Sequence, residues 1–276
     1  IPPRNLCRTQ IVDLDSIGHA DLKTYGAKAA NVAELRKVLT TPNMVPDGFA
    51  VPFYFYHRFM AESGLYGKAY EMIVKSKFQE DPQYREEQLK EFRDRIEKAK
   101  VPKDLSKALD KMHKDLEGFN GAGLYDSYTH REDEGHIEKS IKQVWASLWN
   151  YRAFEEREFY RIDHFTTAMG VLVHPNFDDE LANGVALTRN IFDPNWEGYY
   201  VNVQVGEALV TNPEAGAVPD EFLVMRTLTS VNPPTFANET IFIRHSNLIE
   251  QGKQVLTDDQ IELLTQQMRA IQAHFQ

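Results

Sequence analysis

An α+β fold is the class that the 276-residue sequence predicts, because helical and strand patterns occupy successive stretches of the chain. Residues 57–115 are dense in charged side chains and poor in glycine. Their apolar residues recur every three or four positions, as in amphipathic helices. From about residue 168 the chain carries β-branched and aromatic runs bounded by Gly, Asn, Asp and Pro, which predict strands. Strands and helices do not alternate steadily, so a doubly wound parallel sheet is not expected.

Three stretches of the sequence carry the strongest helical signals. The first is "REEQLKEFRDRIEKAK", in which acidic and basic residues alternate. The second is "HIEKSIKQVWASLWNYRAFEEREFYRI", which predicts one or two helices. The third covers residues 257–275, where Thr257 followed by Gln260 forms a capping-box start. In the second stretch, the residues expected on the buried side are Ile137, Ile141, Val144, Leu148 and Phe154.

Three stretches of the C-terminal half carry the strand pattern. They are "AMGVLVHP", "ANGVALTR" and "GYYVNVQVGEALVT". Each is rich in β-branched or aromatic residues and is bounded by turn-forming residues. Internal repeats and low-complexity tracts are absent from the sequence.

The composition narrows the classes of partner. A formal net charge of −10 and a pI near 5.4 argue against a nucleic-acid backbone or an anionic membrane surface as a general partner. The single cysteine, Cys7, cannot form a disulfide within the chain, so a reducing, cytoplasmic location is expected. No apolar run approaches the roughly 20 residues of a membrane span, and no signal segment is expected at the start.

The stretch "TYGAKAANVAEL" places Gly26 and Lys28 at the entry to an amphipathic helix. A lysine there lies beside backbone N–H groups that have no partner within the helix, at the positive end of the helix dipole. Together these groups can hold an anion. From spacing alone, a solvated surface lysine is the more common interpretation.

The stretch "GFNGAGLYDS" contains glycines at positions 118, 121 and 123, and glycine lets backbone amides approach a phosphate closely. No Gly-Lys-Ser/Thr follows, so this is not the phosphate loop of nucleoside triphosphatases. It does not follow a clear strand pattern either. An ordinary glycine-rich connection is the alternative interpretation.

Gln204 and Glu207, in "VQVGEALV", lie near the end of a predicted strand. An amide oxygen and a carboxylate are suitable ligands for Mg²⁺, which proteins usually bind through one or two carboxylates together with substrate phosphates. Without a nucleotide nearby, a charged residue at a strand end is the simpler interpretation.

Several stretches in one order resemble the pyruvate phosphate dikinase and phosphoenolpyruvate synthase family. The resemblance begins with "YGAKAANVAELRKV" and "VPDGFAVPFYFYHRF" and covers nearly the whole chain. It continues with "GAGLYDSY", "VWASLWNYRAFEERE", "AMGVLVHP", "NGVALTRN", "VGEALV", "PDEFLV" and "VLTDDQIELL". Each motif is weak alone, but their shared order is specific. The resemblance implies an ATP-grasp-like domain, with a helix-rich N-terminal lobe at residues 1–120 and a β-rich lobe at residues 121–276.

The resemblance also implies roles for individual residues. Lys28 and Arg189 would contact ATP phosphates and act in catalysis, and Glu207, with Gln204, would hold Mg²⁺. Val173 and His174 fall where the adenine-contacting strand of the family lies. The loop that closes over the phosphates would include Gly121, Gly123, Asp126 and Ser127. Such a set supplies positioning and charge neutralisation, which phosphoryl transfer mainly requires.

The sequence departs from the family pattern at three positions: Tyr25 precedes the first glycine of the lysine motif, Ala27 replaces its second glycine, and His174 stands where many relatives have Gln. An arginine-bearing strand expected before the glycine loop is absent, so we suspect a missing segment between residues 114 and 115. The family also carries a further carboxylate after the last helix, whereas this sequence stops at "HFQ". These differences predict a divergent member whose acceptor need not be pyruvate.

The resemblance implies a function in two stages. ATP would phosphorylate a histidine on a separate carrier domain, which would pass the phosphoryl group to pyruvate or another small acceptor. The chain would then be the nucleotide-binding part alone, since its histidines at 113, 130, 136 and 164 are expected to be surface residues. A degenerate nucleotide-binding regulatory or scaffold module is the first alternative, and an α+β protein without a nucleotide site is the second.

Overall fold

The computed structural model describes residues 3–114, 119–121, 128–130, 135–175, 180–207, 210 and 216–276. The chain divides into two compact units, Ile1–Asn176 (unit 1) and Phe177–Gln276 (unit 2). The lobe boundary predicted at residues 120 and 121 falls inside unit 1. The predicted boundary separates the two lobes expected to lie on either side of a nucleotide, and it stays a prediction. The suspected missing segment adjoins Asp115, which lies outside the described residues.

Unit 1 contains a five-stranded sheet in the order β1-β2-β5-β3-β4, and every pair in it is antiparallel. The strands are β1 (Val12–Asp13), β2 (Phe49–Val51), β3 (Phe119–Gly121), β4 (Tyr128–His130) and β5 (Val171–Pro175). Only β5 was predicted. The other four span two or three residues, too few to show an alternating pattern in the sequence.

The described part of unit 1 also contains nine α-helices. They are α1 (Leu22–Tyr25), α2 (Ala27–Val38), α3 (Phe53–Glu62), α4 (Leu65–Ile73), α5 (Ser76–Glu80), α6 (Pro82–Lys98), α7 (Lys103–Lys114), α8 (Glu138–Ser147) and α9 (Tyr151–Phe159). Two short 3₁₀ helices, Leu14–Ser16 and His19–Asp21, precede α1. The largest hydrophobic cluster has Trp145 and Trp149 among its fully buried members. Phe92 meets the Trp149 ring edge-on at 4.9 Å between centroids.

The stretch predicted as one or two helices forms two, α8 and α9. The break falls at residues 148–150, and all five side chains predicted to be buried there are at most 8% exposed. The expectation of surface histidines is wrong for His164. Its side chain is buried, and its ring stacks on Phe154 at 4.1 Å. Arg157 Nε donates to His164 Nδ1, and His164 Nε2 lies 2.6 Å from Glu158 Oε1.

Unit 2 is an antiparallel sheet in the order β6-β7-β8-β9, with one long helix. Its elements are β6 (Ala182–Leu187), β7 (Gly198–Val205), β8 (Asp220–Val231), β9 (Pro234–Arg244) and α10 (Asp258–Phe275). Ile261 and Met268 of α10 cluster with Val201, Val203 and Phe222 of the sheet. The mixture of helices with antiparallel sheets confirms the predicted α+β class.

The predicted start of the last helix is confirmed in atomic detail. Thr257 is the N-cap of α10, and its hydroxyl accepts a hydrogen bond from Gln260 N at 3.3 Å. Gln260 Oε1 in turn accepts from Thr257 N at 2.8 Å, which completes the capping box. No helix in the described ranges is long and apolar enough to cross a membrane.

Candidate functional site

The entry to α2 combines a glycine N-cap with a lysine in the first turn. Gly26 is the N-cap, and its φ of 89° lies in the left-handed region, where glycine is favoured. The cap residue has no side chain to occupy the helix entry, and the first turn contains no acidic residue. The first N–H groups of an α-helix have no partner within the helix, so this end can receive an anion beside Lys28.

A close backbone approach fixes this entry against the strand that carries His174. Gly170 directly precedes β5, and a Cβ built on it would lie 2.1 Å from the carbonyl oxygen of Tyr25. Only glycine allows that contact without a shift of the backbone. The turn between α1 and α2 is therefore held beside the start of β5.

β5 carries both residues predicted to contact adenine. Val173 is only 3% exposed and belongs to the main hydrophobic cluster, so its side chain serves the core. His174 is partly buried, and its Nδ1 lies 2.8 Å from the Pro175 carbonyl oxygen. His174 pairs with Asn120 of β3, and Gly121 is the next residue along that strand.

Lys28 and His174 are brought together by this arrangement. Burial is the main cause that lowers the pKa of His174, and the nearby Lys28 ammonium lowers it further by disfavouring a second positive charge. Burial also lowers the pKa of Lys28, although the residue as a whole is exposed. Within the described ranges, no carboxylate lies within 4 Å of the Lys28 ammonium. The positive charge is therefore available to an anionic ligand.

Removing the Lys28 charge should raise the pKa of His174. In Lys28→Met, one of the two causes that hold this pKa down is lost while burial remains, so the pKa should rise toward its ordinary value. Histidine ring resonances followed by NMR against pH measure this shift, with His174→Gln used to assign the signal. Lys23→Met, on the neighbouring helix α1, is the control and should leave the titration unchanged. An unchanged pKa in Lys28→Met would show that the two groups do not interact.

The glycine-rich stretch differs from its predicted form. Gly121 is the last residue of β3 rather than part of a loop, and it pairs with Tyr128 of β4. A strand therefore does enter this stretch, contrary to the expectation from the sequence. The remaining residues assigned to the phosphate loop, Gly123, Asp126 and Ser127, lie outside the described residues. Their roles stay predictions.

In unit 2, Glu207 is exposed in the turn that follows β7, after Gly206 with its φ of 64°. Gln204 is fully buried instead. Its Oε1 accepts hydrogen bonds from Val205 N at 2.9 Å and from Ser246 Oγ at 2.6 Å. Both lone pairs of that oxygen are used within the protein, so Gln204 could bind a metal only by releasing one of these partners.

Arg189 and Glu207 lie at opposite ends of the β6–β7 pair. The register joins Ala182 to Val205 at one end and Leu187 to Tyr200 at the other. Five residues of strand separate these pairs, about 16 Å at roughly 3.3 Å per residue. Glu207 follows the first end and Arg189 follows the second. The structure therefore does not bring these two predicted residues to the same phosphate.

A buried polar cluster around Glu221 was not predicted from the sequence. This carboxylate accepts a hydrogen bond from the Tyr200 hydroxyl at 2.7 Å, and Arg244 Nε also donates to it. Burial and, after it, the Glu221 carboxylate raise the pKa of Tyr200 to about 12. The neighbouring Asn202 Oδ1 is buried and accepts no hydrogen bond from the described residues. The stretch "PDEFLV" contained the signal, because two acidic residues precede an apolar strand.

The residues present are compatible with Mg²⁺ only if a ligand supplies most of the coordination. Within the described residues, no group of three or more His, Cys, Asp or Glu side chains could hold a metal ion by itself. Mg²⁺ is commonly held by one or two carboxylates together with substrate phosphates. An exposed carboxylate such as that of Glu207 meets this requirement.

The described residues form an α+β protein in which α2 begins without a side-chain cap, close to the exposed Lys28. The family described as "Pyruvate phosphate dikinase, AMP/ATP-binding domain" matches residues 22–121 and 111–276, and the chain belongs to that family. The predicted resemblance is thereby confirmed. The two matched ranges overlap at residues 111–121. This overlap contains the junction of residues 114 and 115, where a missing segment is expected from the sequence.

Three relatives show the range of proteins that contain a similar region. A rifampicin phosphotransferase from Streptomyces sp is 27% identical over 290 residues, which cover 96% of this chain and 33% of that protein. A probable phosphoenolpyruvate synthase from Methanothermobacter thermautotrophicus is 24% identical over 300 residues, which cover 95% of this chain and 42% of that protein. A chloroplastic alpha-glucan water dikinase from Citrus reticulata is 28% identical over 200 residues, which cover 72% of this chain and 13% of that protein. The chain spans less than half the length of each relative.

Proposed function

We propose that this chain binds Mg²⁺–ATP and forms the nucleotide-binding part of an ATP-grasp-like phosphotransferase of the dikinase type. The phosphoryl group would pass from ATP to a histidine on a separate carrier domain, and from there to pyruvate or another acceptor. The observation that carries the proposal is the position of Lys28, beside an uncapped helix entry and close to His174 on β5. The family to which the chain belongs is described as binding AMP or ATP.

In unit 1, the positive groups would hold the phosphates. The Lys28 ammonium has no carboxylate partner among the described residues, and the N-terminus of α2 adds backbone donors to it. The strands β3 and β4 flank the segment whose glycines and Ser127 would close over the ligand. These groups orient the phosphates and neutralise their charge, which is the main task in phosphoryl transfer.

Mg²⁺, when bound, would bridge phosphate oxygens and offset their negative charge. Glu207 is the carboxylate that we assign to it, because the side chain is exposed at the end of β7. Gln204 is a conditional ligand, since its amide oxygen already accepts from Val205 N and Ser246 Oγ. Arg189 is not assigned to the Mg²⁺ position, because it follows the end of the β6–β7 pair opposite Glu207.

The acceptor is not fixed by this part of the protein. The names of the relatives refer to different products or acceptors, among them rifampicin and phosphoenolpyruvate. A nucleotide-binding part common to such proteins would leave the choice of acceptor to other domains. His164 is unsuited to carry a phosphoryl group, because its ring is buried against Phe154 and bonded to Arg157.

Calorimetry tests both nucleotide binding and the role of Glu207. Wild-type protein should bind ATP more tightly with Mg²⁺ than with a chelator. Glu207→Gln should weaken Mg²⁺–ATP binding by about ten- to a hundredfold, the range for loss of a charged contact, and change metal-free ATP binding little. Glu250→Gln removes an equal charge from an exposed position of unit 2 and is the control.

Two outcomes would oppose parts of the proposal. If folded wild-type protein does not bind Mg²⁺–ATP, this chain does not form the nucleotide site. If ATP binds but no phosphohistidine forms when the chain is present in its longer protein, the chain is a nucleotide-binding regulatory or scaffold module instead.

A further inference from the structure

A second concave site lies wholly within unit 2. Its volume is about 470 Å³, and its walls come from residues 188–199, from β8 and from the C-terminal half of α10. This volume falls within the range of small-molecule sites, about 300–1,000 Å³. The cavity adjoins Arg189, at the end of the β6–β7 pair opposite Glu207. It is therefore separate from the metal position proposed above.

The cavity is lined by basic side chains, although unit 2 as a whole is acidic. Residues 177–276 contain fourteen aspartate and glutamate residues but only five lysine and arginine residues, which are Arg189, Arg226, Arg244, Lys253 and Arg269. Three of the four arginines line the same cavity, and Glu197 is the one acidic residue among the described residues that line it. The basic groups of an acidic unit are thus concentrated at one concave surface.

Two of these three arginines, Arg226 and Arg269, are held by neutral partners. Arg226 stacks over the Phe236 ring, with its Cζ 4.1 Å from the centroid. Arg269 donates a hydrogen bond to Asn238 Oδ1, and Asn238 is the register partner of Arg226 across β8 and β9. In the part of the chain that the structure describes, no carboxylate lies within 4 Å of any of the three guanidinium groups. The described residues therefore form no ion pair with these three groups.

The remaining walls provide rigidity and an aromatic surface. Gln272 of α10 accepts a hydrogen bond from the Tyr199 hydroxyl at 2.8 Å, which ties the helix to β7. Trp196 lines the cavity and is 66% exposed, so much of this residue is open to solvent. An aromatic ring next to several guanidinium groups suits a ligand that combines an anionic group with a planar or apolar part.

We propose that this cavity binds a phosphate-bearing small molecule at a site additional to the ATP site. Guanidinium groups bind phosphate oxygens through pairs of parallel hydrogen bonds, and three groups around one cavity match a ligand with two or more negative charges. The role extends beyond the proposed ATP chemistry. It also gives Arg189 a function that the strand register permits.

Tryptophan fluorescence reports on this cavity selectively. Trp145 and Trp149 are fully buried in unit 1, whereas Trp196 is exposed at the cavity. Pyrophosphate is the probe, and Lys28→Ala is the background, so that binding at the proposed ATP site is weakened. A saturable change in emission is expected in that background, and it should vanish with Trp196→Phe while calorimetry still detects binding.

Charge variants test which residues hold the probe. Arg189→Gln and Arg226→Gln should each weaken pyrophosphate binding about tenfold or more, whereas Lys253→Gln, which removes a charge from unit 2 outside the cavity, should have little effect. Thermal melting confirms that each variant is folded. Equal weakening in all three variants, or no weakening in the arginine variants, would overturn the proposal.

Citrate is the control for the class of ligand. Citrate binding as tightly as pyrophosphate would overturn the assignment to phosphates. Loss of ATP binding in Lys28→Ala leaves this test intact.

Discussion

Lys28→Ala is expected to weaken Mg²⁺–ATP binding by about ten- to a hundredfold, the effect of losing one charge-assisted contact. If transfer occurs, its rate should fall by a further factor of about 10²–10³, because the charge that develops on the transferred group loses a preorganised partner. The expectation depends on the position of Lys28 at the entry to α2, where no acidic residue competes for its charge. Calorimetry measures the affinity, and single-turnover transfer from labelled ATP measures the rate.

Two further variants separate charge from geometry at this position. Lys23→Ala removes a lysine from α1, five residues earlier, and should leave ATP binding unchanged. Lys28→Arg keeps the charge but replaces a compact ammonium with a planar fork, so it should restore part of the affinity. If Lys23→Ala weakened binding as much as Lys28→Ala, the effect would be general electrostatics, and the site would not lie at α2.

The sequence could predict elements whose signal is local. The capping box at Thr257 and Gln260 is formed by residues three positions apart, so the start of α10 was readable before the fold was known. The buried face of α8 was readable for the same reason, because helical spacing places Ile137, Ile141 and Val144 on one side.

Features that depend on contacts distant in sequence could not be predicted. The strand β2 has three residues and exists because β1 and β5 pair with it, which no local pattern records. The burial of His164 depends on Phe154, ten residues away, and on Arg157. The long β8–β9 pair was also missed as strand, although "PDEFLV" had been noted as a family motif.

The candidate site divides in the same way. The helix entry at Lys28 could be predicted from the residue spacing and the helix dipole. Its closeness to His174 could not be predicted, because it depends on how β5 packs in the sheet. Arg189 and Glu207 looked like members of one phosphate site because the family resemblance names residues without distances. Antiparallel register then placed them at opposite ends of β6 and β7. The clustering of Arg189 with Arg226 and Arg269 is likewise a product of tertiary structure.

Gly48→Ala should destabilise unit 1 by about 3 kcal/mol, the upper end of the usual range for overpacked sites. A Cβ at this position would lie 2.1 Å from the Val173 carbonyl oxygen and 3.1 Å from His174 Cα. Both atoms belong to backbone, so no side-chain rotation relieves the contact. The next residue, Phe49, pairs with Val173, so β2 and β5 would have to move apart. The strand that carries His174 would then shift relative to Lys28, and ATP binding should weaken as well.

Gly67→Ala is the matched control for this change. Gly67 is exposed in the first turn of α4, and a Cβ added there meets no atom within 4 Å. Because alanine is the better helix former, this variant should gain about 0.5–1 kcal/mol. Urea unfolding followed by the emission of the buried Trp145 and Trp149 reports on unit 1, where both residues lie. Equal midpoints for the two variants would contradict the close approach of β2 to β5, and with it the placement of His174 beside the α2 entry.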